Sequence, residues 1–124
     1  MRLNNNESQE MYLETILQLK IEKGSVRSID VARKLDYSKP SVSRAIKLLE
    51  KNGLLVRSKD GELQLTPAGQ VEAERVYNAH RLLTTFLIQT LKLPKEIAEE
   101  DACRMEHVIS PETIQAVKKY LEQK

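Results

Sequence analysis

The sequence predicts a mainly α fold in which one short β-hairpin interrupts a run of helices. Three observations carry that expectation. Of the 124 residues, 40% are apolar and 31% charged, while Gly and Pro number only 4 each, which suits compact helices and excludes disordered and collagen-like chains. Apolar residues recur at i, i+3, i+4 and i+7 in successive windows, the period of a helix with one buried face. Asp60-Gly61 lies between two short apolar segments, and its tolerance of positive φ makes it a hairpin signal.

The elements follow in order. Ser8 to Lys23 places Tyr12, Leu13, Ile16, Leu17 and Leu19 at helical spacing and stops at Gly24. Ile29, Ala32 and Leu35 mark a short helix ending near Asp36. Ser38 caps the next helix, with Pro40 in the first turn, where a missing N–H costs nothing. Its apolar stripe is Val42, Ala45, Ile46 and Leu49, it ends before Gly53, and its other face carries Ser41, Ser43, Arg44, Lys47 and Lys51. Leu54–Arg57 and Leu63–Leu65 read as the two hairpin strands. Thr66 caps a long helix with Pro67 in its first turn, running through Val76, Ala79, Leu83, Phe86, Leu87 and Leu91 until Leu93-Pro94 breaks it. A further helix is expected from Lys95 to Ile109, and Ser110-Pro111-Glu112-Thr113 opens a last one ending near Lys124.

Helix, short helix, capped second helix, then hairpin is the order of a winged helix-turn-helix, a fold that lays the second helix of the pair in a DNA major groove. The alternative is a helical bundle with an incidental hairpin. Net charge is only +2, but residues 25–66 hold nine Lys or Arg against five Asp or Glu, whereas residues 95–124 hold five against seven. A basic middle suits a nucleic-acid face. The division expected is a winged helix-turn-helix domain over residues 1–70 and an α-helical domain over residues 71–124. The single Cys103 excludes an intrachain disulfide and points to a reducing compartment. The N-terminus lacks the apolar stretch of a leader peptide and no run reaches membrane-spanning length, so a cytoplasmic protein is expected.

Chemistry concentrates after the hairpin. Cys103, Glu106 and His107 fall at i, i+3 and i+4, a spacing that puts thiolate, carboxylate and imidazole on one helix face. That turn reads either as half of a divalent transition-metal site or as a buried cysteine beside a surface Glu and His. His80, flanked by Val76, Leu83 and Leu87 at helical spacing, faces inward. Met105 is off the ligand face and suits core packing.

Five blocks in order, Glu10-Met11-Tyr12-Leu13-Glu14, Ser38-Lys39-Pro40-Ser41-Val42-Ser43, Leu65-Thr66-Pro67-Ala68-Gly69, Ala79-His80-Arg81-Leu82-Leu83 and Asp101-Ala102-Cys103-Arg104-Met105-Glu106-His107, resemble the metal-dependent repressors of the diphtheria toxin repressor family, including its short manganese transport regulator branch. The resemblance implies an Fe(II)- or Mn(II)-activated repressor, with Fe(II) ahead of Mn(II), that binds a palindromic double-stranded operator as a homodimer built from the helices after residue 67. It makes the second domain a dimerisation and metal-binding domain. The implied iron-type ligands are Met11, Cys103, Glu106 and His107. Glu14 matches a carboxylate of the manganese branch, which has Asp at Met11 and Glu at Cys103. His80 matches the histidine of an ancillary second site whose other positions here are Thr84 and Glu99; Glu14 and Glu99 could serve a rearranged version. The SH3-like third domain of longer members is not expected. The implied DNA contacts are Arg27, Ser38, Lys39, Pro40, Ser41, Ser43, Arg44 and Lys47, with Ser38, Pro40 and Ser41 near base edges and Arg44 and Lys47 on phosphates.

Neither a membrane nor a small-molecule substrate is expected as partner, nor an enzyme: a metal hydrolase or oxygenase reading finds no catalytic motif. A third reading keeps the winged helix, drops the metal and makes Cys103 a thiol redox sensor.

Overall fold

Capping chemistry sets the helix boundaries. The structure, a computed structural model, describes residues 5–123, with side chains from Glu7 onward. Residues 1–4 and Lys124, with the leader reading at the extreme N-terminus and the expected end of the last helix, lie outside the described residues. The chain divides into two units, Met1–Glu74 and Arg75–Lys124.

In the first unit α1 spans Asn5–Lys23, a turn earlier than the apolar pattern alone indicates. Its six consecutive residues Tyr12–Leu17 are all buried, Glu14 and Thr15 among them, so this helix is not the one-sided amphipath that periodicity suggests. The Thr15 hydroxyl is satisfied by donating to the Met11 carbonyl at 2.8 Å. Helix α2 covers Ser28–Leu35. Asp30 in its first turn accepts from the Arg27 N–H at 2.9 Å and pairs with Lys23. The Lys23 ammonium, and then the Arg27 amide, hold the Asp30 carboxyl below its ordinary range.

Asp36 turns the chain in the left-handed region at φ 55, and the Tyr37 N–H closes α2 onto the Ala32 carbonyl at 3.1 Å. Ser38 then caps α3, Lys39–Lys51, by accepting from the Ser41 N–H at 3.3 Å. These caps make the tight helix-turn-helix. Leu13, Ile16, Val31, Val42, Ile46 and Leu49 pack its core, each with at most 1% exposure.

Strands β1, Leu55–Arg57, and β2, Leu63–Leu65, pair antiparallel with Leu55 opposite Leu65 and Arg57 opposite Leu63. The linking loop has Gly61 at φ 89, and the Ser58 hydroxyl followed by the Glu62 amide holds the Asp60 carboxyl below its usual range. The wing is tied back twice: the Leu63 N–H donates to the Val26 carbonyl at 2.7 Å, and Arg27 reaches the Asp60 carbonyl and carboxylate.

Helix α4, Pro67–Leu91, begins in the first unit and continues into the second. Thr66 anchors its start by donating to the Gly53 carbonyl at 2.7 Å and accepting from the Gly69 N–H at 3.1 Å. Gly69 is there because nothing larger fits: a Cβ at this position would lie 2.0 Å from the Leu54 carbonyl oxygen.

In the second unit α5, Lys95–Met105, and α6, Pro111–Glu122, join the rest of α4. Leu83, Ala102 and Val117 form the core, packed against by Phe86, Met105, Ile109, Ile114 and Leu121. Leu91, placed on the apolar stripe by spacing, is 58% exposed instead, since the helix ends there. Helix α5 stops four residues short of Ile109. The Val108 and Ile109 amides both turn back to the Met105 carbonyl at 3.1 Å, and Ser110 starts α6 by accepting from the Thr113 N–H at 3.1 Å. Among the described residues no helix is long and apolar enough to cross a membrane.

Two stability tests follow. Gly69→Ala forces the start of α4 off the Leu54 backbone and is expected to cost at least about 3 kcal/mol, read as a lowered urea midpoint; an unchanged midpoint refutes the close approach. Asp30→Asn, which keeps an acceptor but loses the charge, is expected to cost about 0.5–1 kcal/mol at pH 7. Because the folded-state value lies below the unfolded one, Asp30 stabilises fully above about pH 4 and the benefit is lost as pH falls through its folded value. The gap between the two urea midpoints should therefore narrow progressively as pH is lowered below about 4, and a gap that does not change with pH argues against the ion pair.

Candidate functional site

Ending α5 at Met105 decides where the chemistry goes. Glu106 and His107 occupy the turn after the helix, and Cys103 its last turn. The burial is the reverse of the bland sequence reading. Cys103 is exposed, while the side chains of Glu106 and His107 are 0% and 3% exposed.

A carboxylate shut away from water must be compensated. Glu106 lies between two imidazoles: Oε2 is 2.9 Å from His80 Nδ1, and Oε1 is 3.3 Å from His107 Nε2. His80 comes from α4, with its side chain 17% exposed. The Cys103 Sγ, a Glu106 carboxylate oxygen and a His107 ring nitrogen lie within 4.8 Å of one another. Donors sharing one first-row divalent ion at bond lengths of about 2.0–2.3 Å are at most about 4.5 Å apart, so small adjustments would bring these three onto one metal. Sulfur, oxygen and nitrogen in one turn fit a borderline transition ion better than calcium or magnesium.

The second unit thus brings together Cys103, Glu106 and His107, with His80 joined to them through Glu106. Glu99 is exposed on α5, and the Thr84 hydroxyl oxygen is buried with no hydrogen-bond partner among the described residues. In the first unit Met11 and Glu14 sit one turn apart on α1, Met11 half-buried and Glu14 buried. The Tyr37 hydroxyl donates to the Met11 sulfur at 3.8 Å, while the Tyr37 ring meets Tyr12 edge-on at 6.3 Å. Sequence reasoning missed Tyr37: it lies in the turn, outside every helical stripe, and no local pattern signals its contact with Met11.

The remaining candidates crowd the start of α3. Ser38, Lys39, Pro40, Arg44 and Lys47 are exposed, and Ser41 and Ser43 are half-buried. The Ser38 and Ser41 hydroxyls bond each other at 2.9 Å, and Arg44 reaches Ser41 at 3.4 Å. Arg27, by contrast, is engaged with Asp60 at the wing.

Known proteins share both halves of this chain. Residues 6–63 match the family described as the iron dependent repressor N-terminal DNA binding domain, and residues 66–123 match the iron dependent repressor metal binding and dimerisation domain. The chain belongs to the iron-dependent repressor family. Among its relatives, the diphtheria toxin repressor of Corynebacterium diphtheriae is 36% identical over 113 residues, covering 91% of this chain and 50% of the relative. The iron-dependent repressor IdeR of Mycobacterium tuberculosis is 38% identical over 112 residues, covering 90% and 49%. The solved structure of the manganese regulator SloR superposes with a TM-score of 0.83 at 29% identity, covering 100% of this chain and 56% of that one. The chain therefore spans about half the length of the curated family members it matches. The fold of the family, a winged DNA-binding domain followed by helices, is the fold described above.

Exposure of Cys103 has a direct chemical test. In the metal-free protein one thiol per chain should react promptly with Ellman's reagent, and added Co(II) or Zn(II) should slow that reaction at least about tenfold if Cys103 is a donor. Equal rates with and without metal would remove Cys103 from the donor set.

Proposed function

We propose that this chain is a metal-activated transcriptional repressor that binds a palindromic operator as a homodimer and controls metal-homeostasis genes, with Fe(II) as effector ahead of Mn(II). The observation that carries this reading is the convergence of Cys103, Glu106 and His107 within 4.8 Å in the half that matches a metal-binding domain, on a chain whose other half is a winged helix. The domains are read as residues 1–70 for DNA and 71–124 for dimerisation and metal.

Cys103, Glu106 and His107 would hold the ion, with Met11 and Glu14 of α1 as further ligands, a set that rests on resemblance to the family. When bound, the ion supplies charge and fixed geometry, not bond-making. A thioether and a thiolate favour softer ions over Mn(II), which sets the order of the two metals. A ligand shifts an equilibrium only by its differential affinity for the two states; a hundredfold preference for the DNA-competent state corresponds to about 2.7 kcal/mol of coupling, and DNA must tighten metal binding equally.

The start of α3 is read as the base-facing end, with Ser38, Pro40 and Ser41 at base edges and Arg44 and Lys47 on phosphates. The exposure of Arg44 and Lys47 supports that reading. Small hydroxyls and a proline offer no bidentate guanine contact, so groove shape would supply much of the selectivity. Arg27 remains in the proposed set, and its use on DNA would require letting go of Asp60. Relatives named for iron and manganese give the Cys103 redox-sensor reading no support.

The test is anaerobic fluorescence anisotropy on operator DNA selected from a random pool. Wild type should bind at least about tenfold tighter with Fe(II) than without, and His107→Ala should lose that difference while keeping its helical circular dichroism. Equal binding by apo and loaded wild type would sink the proposal.

A further inference from the structure

We infer that Arg57, at the end of the first wing strand, is a phosphate-binding residue of the DNA interface, meeting the backbone over a cleft that it shares with the start of α3. The inference goes beyond the contacts implied by resemblance, none of which comes from the wing. It rests on DNA binding by the first unit and not on the identity or action of the metal.

The first unit contains an open cleft of about 410 Å³ among three elements, lined by Ser28 and Ile29 of α2, Lys39, Val42 and Ser43 of α3, and Arg57 of β1. Val42 is buried and Ile29 half-buried, while Lys39 and Arg57 are exposed. Two cations and two hydroxyls, with no carboxylate among these six residues, suit an anion. A phosphodiester matches that set, because its charge is met by the cations and its oxygens accept from hydroxyls. Lys39 and Ser43 already belong to the proposed DNA contacts, so the cleft carries the same surface from α3 onto the wing.

Strand alternation explains why Arg57 is there. It shares a face of β1 with buried Leu55 and sits opposite buried Leu63, whereas Val56 between them is 48% exposed on the other face. The Arg57 side chain is therefore sent toward α3, where Nη2 donates to Glu50 Oε1 at 2.7 Å. Both side chains are about one-third exposed, at 36% and 31%, and a pair that wet adds little stability. Its effect is on orientation. A guanidinium carries five N–H donors in a fixed fork and this bond uses one, so others can reach a phosphate oxygen while Glu50 keeps its hold. A long side chain restrained before DNA arrives has less freedom to lose on binding.

Fluorescence anisotropy of the full chain on the selected operator and on an unrelated duplex of equal length, each over a range of KCl concentrations, with metal and without, tests this. The proteins are wild type, Arg57→Ala, Arg57→Lys and Glu50→Ala. Arg57→Ala is expected to weaken binding about five- to tenfold on both duplexes alike, and to make the fall of log affinity with log salt shallower by about 0.9 per bound subunit. Arg57→Lys should keep the wild-type slope, since counterion release follows charge. Glu50→Ala breaks the same ion pair but leaves the phosphate contact, so its slope should also be that of wild type. An Arg57→Ala protein with the wild-type slope overturns the inference; if Glu50→Ala then weakens binding equally, the pair is only a structural tie between wing and α3. A loss confined to the selected operator overturns it too, by making Arg57 a base contact. Equal binding with and without metal defeats the proposed activation and leaves this inference standing, because the slope is read in whichever state binds. Wild type that binds neither duplex in any condition defeats both.

Discussion

Putting a carboxylate where water cannot reach it costs several kcal/mol unless hydrogen bonds replace the lost hydration. Much of the second unit answers to that constraint. Glu106 has no exposed side-chain surface, so α4 must present His80 at the height where its Nδ1 meets one carboxylate oxygen, while the turn after α5 sets His107 3.3 Å from the other. The short α5 is part of the same solution. Had it continued regularly to Ile109, the Met105 carbonyl would keep the Ile109 amide but lose the tighter Val108 bond that marks the turn. The apolar cluster of Leu83, Ala102 and Val117 braces the same two helices, so packing and the His80–Glu106 hydrogen bond specify one arrangement.

The first unit is organised by close backbone contact. Gly69 lets α4 begin against the Leu54 carbonyl, and Thr66 locks that contact with one bond in each direction along the chain. Because Leu54 lies in the short link between the end of α3 at Lys51 and the start of β1 at Leu55, the same contact places α3 and the wing together. Asp36 performs the corresponding task at the other end of α3, where a left-handed residue followed by the Ser38 cap turns the chain within three residues. Side chains that would face DNA are therefore held by caps and turns and owe little to the apolar core.

Periodicity and caps made most of the fold readable in advance. Ser38, Thr66 and Ser110 each cap the helix they were expected to cap, and Asp60-Gly61 does lie in the hairpin loop, because these signals are local and need no partner from afar. What stayed hidden depends on distant residues. The burial of Glu14 and Thr15 on α1 breaks the one-face rule, since a helix covered all round leaves no polar stripe to detect. Periodicity puts the end of α5 four residues late because Met105-Glu106-His107 contains no breaker; the turn comes from the Met105 carbonyl and the following cap. At the site, the spacing of Cys103, Glu106 and His107 was legible within one turn. The link from His80 to Glu106 spans 26 positions and no local pattern encodes it.

Three donors of different chemistry within five consecutive residues make the half-site almost entirely local. A helix that ends one residue before the carboxylate, a short turn and a serine-capped helix are its whole scaffold, and such helix-to-helix joints are common in unrelated proteins. A protein engineer could transplant residues 103–107 into one of them as a ready-made clamp. The graft would inherit the thiolate, the carboxylate and the imidazole. It would not inherit His80, which lies 2.9 Å from the carboxylate, so the host would have to furnish its own partner for that oxygen, or the clamp would be loose.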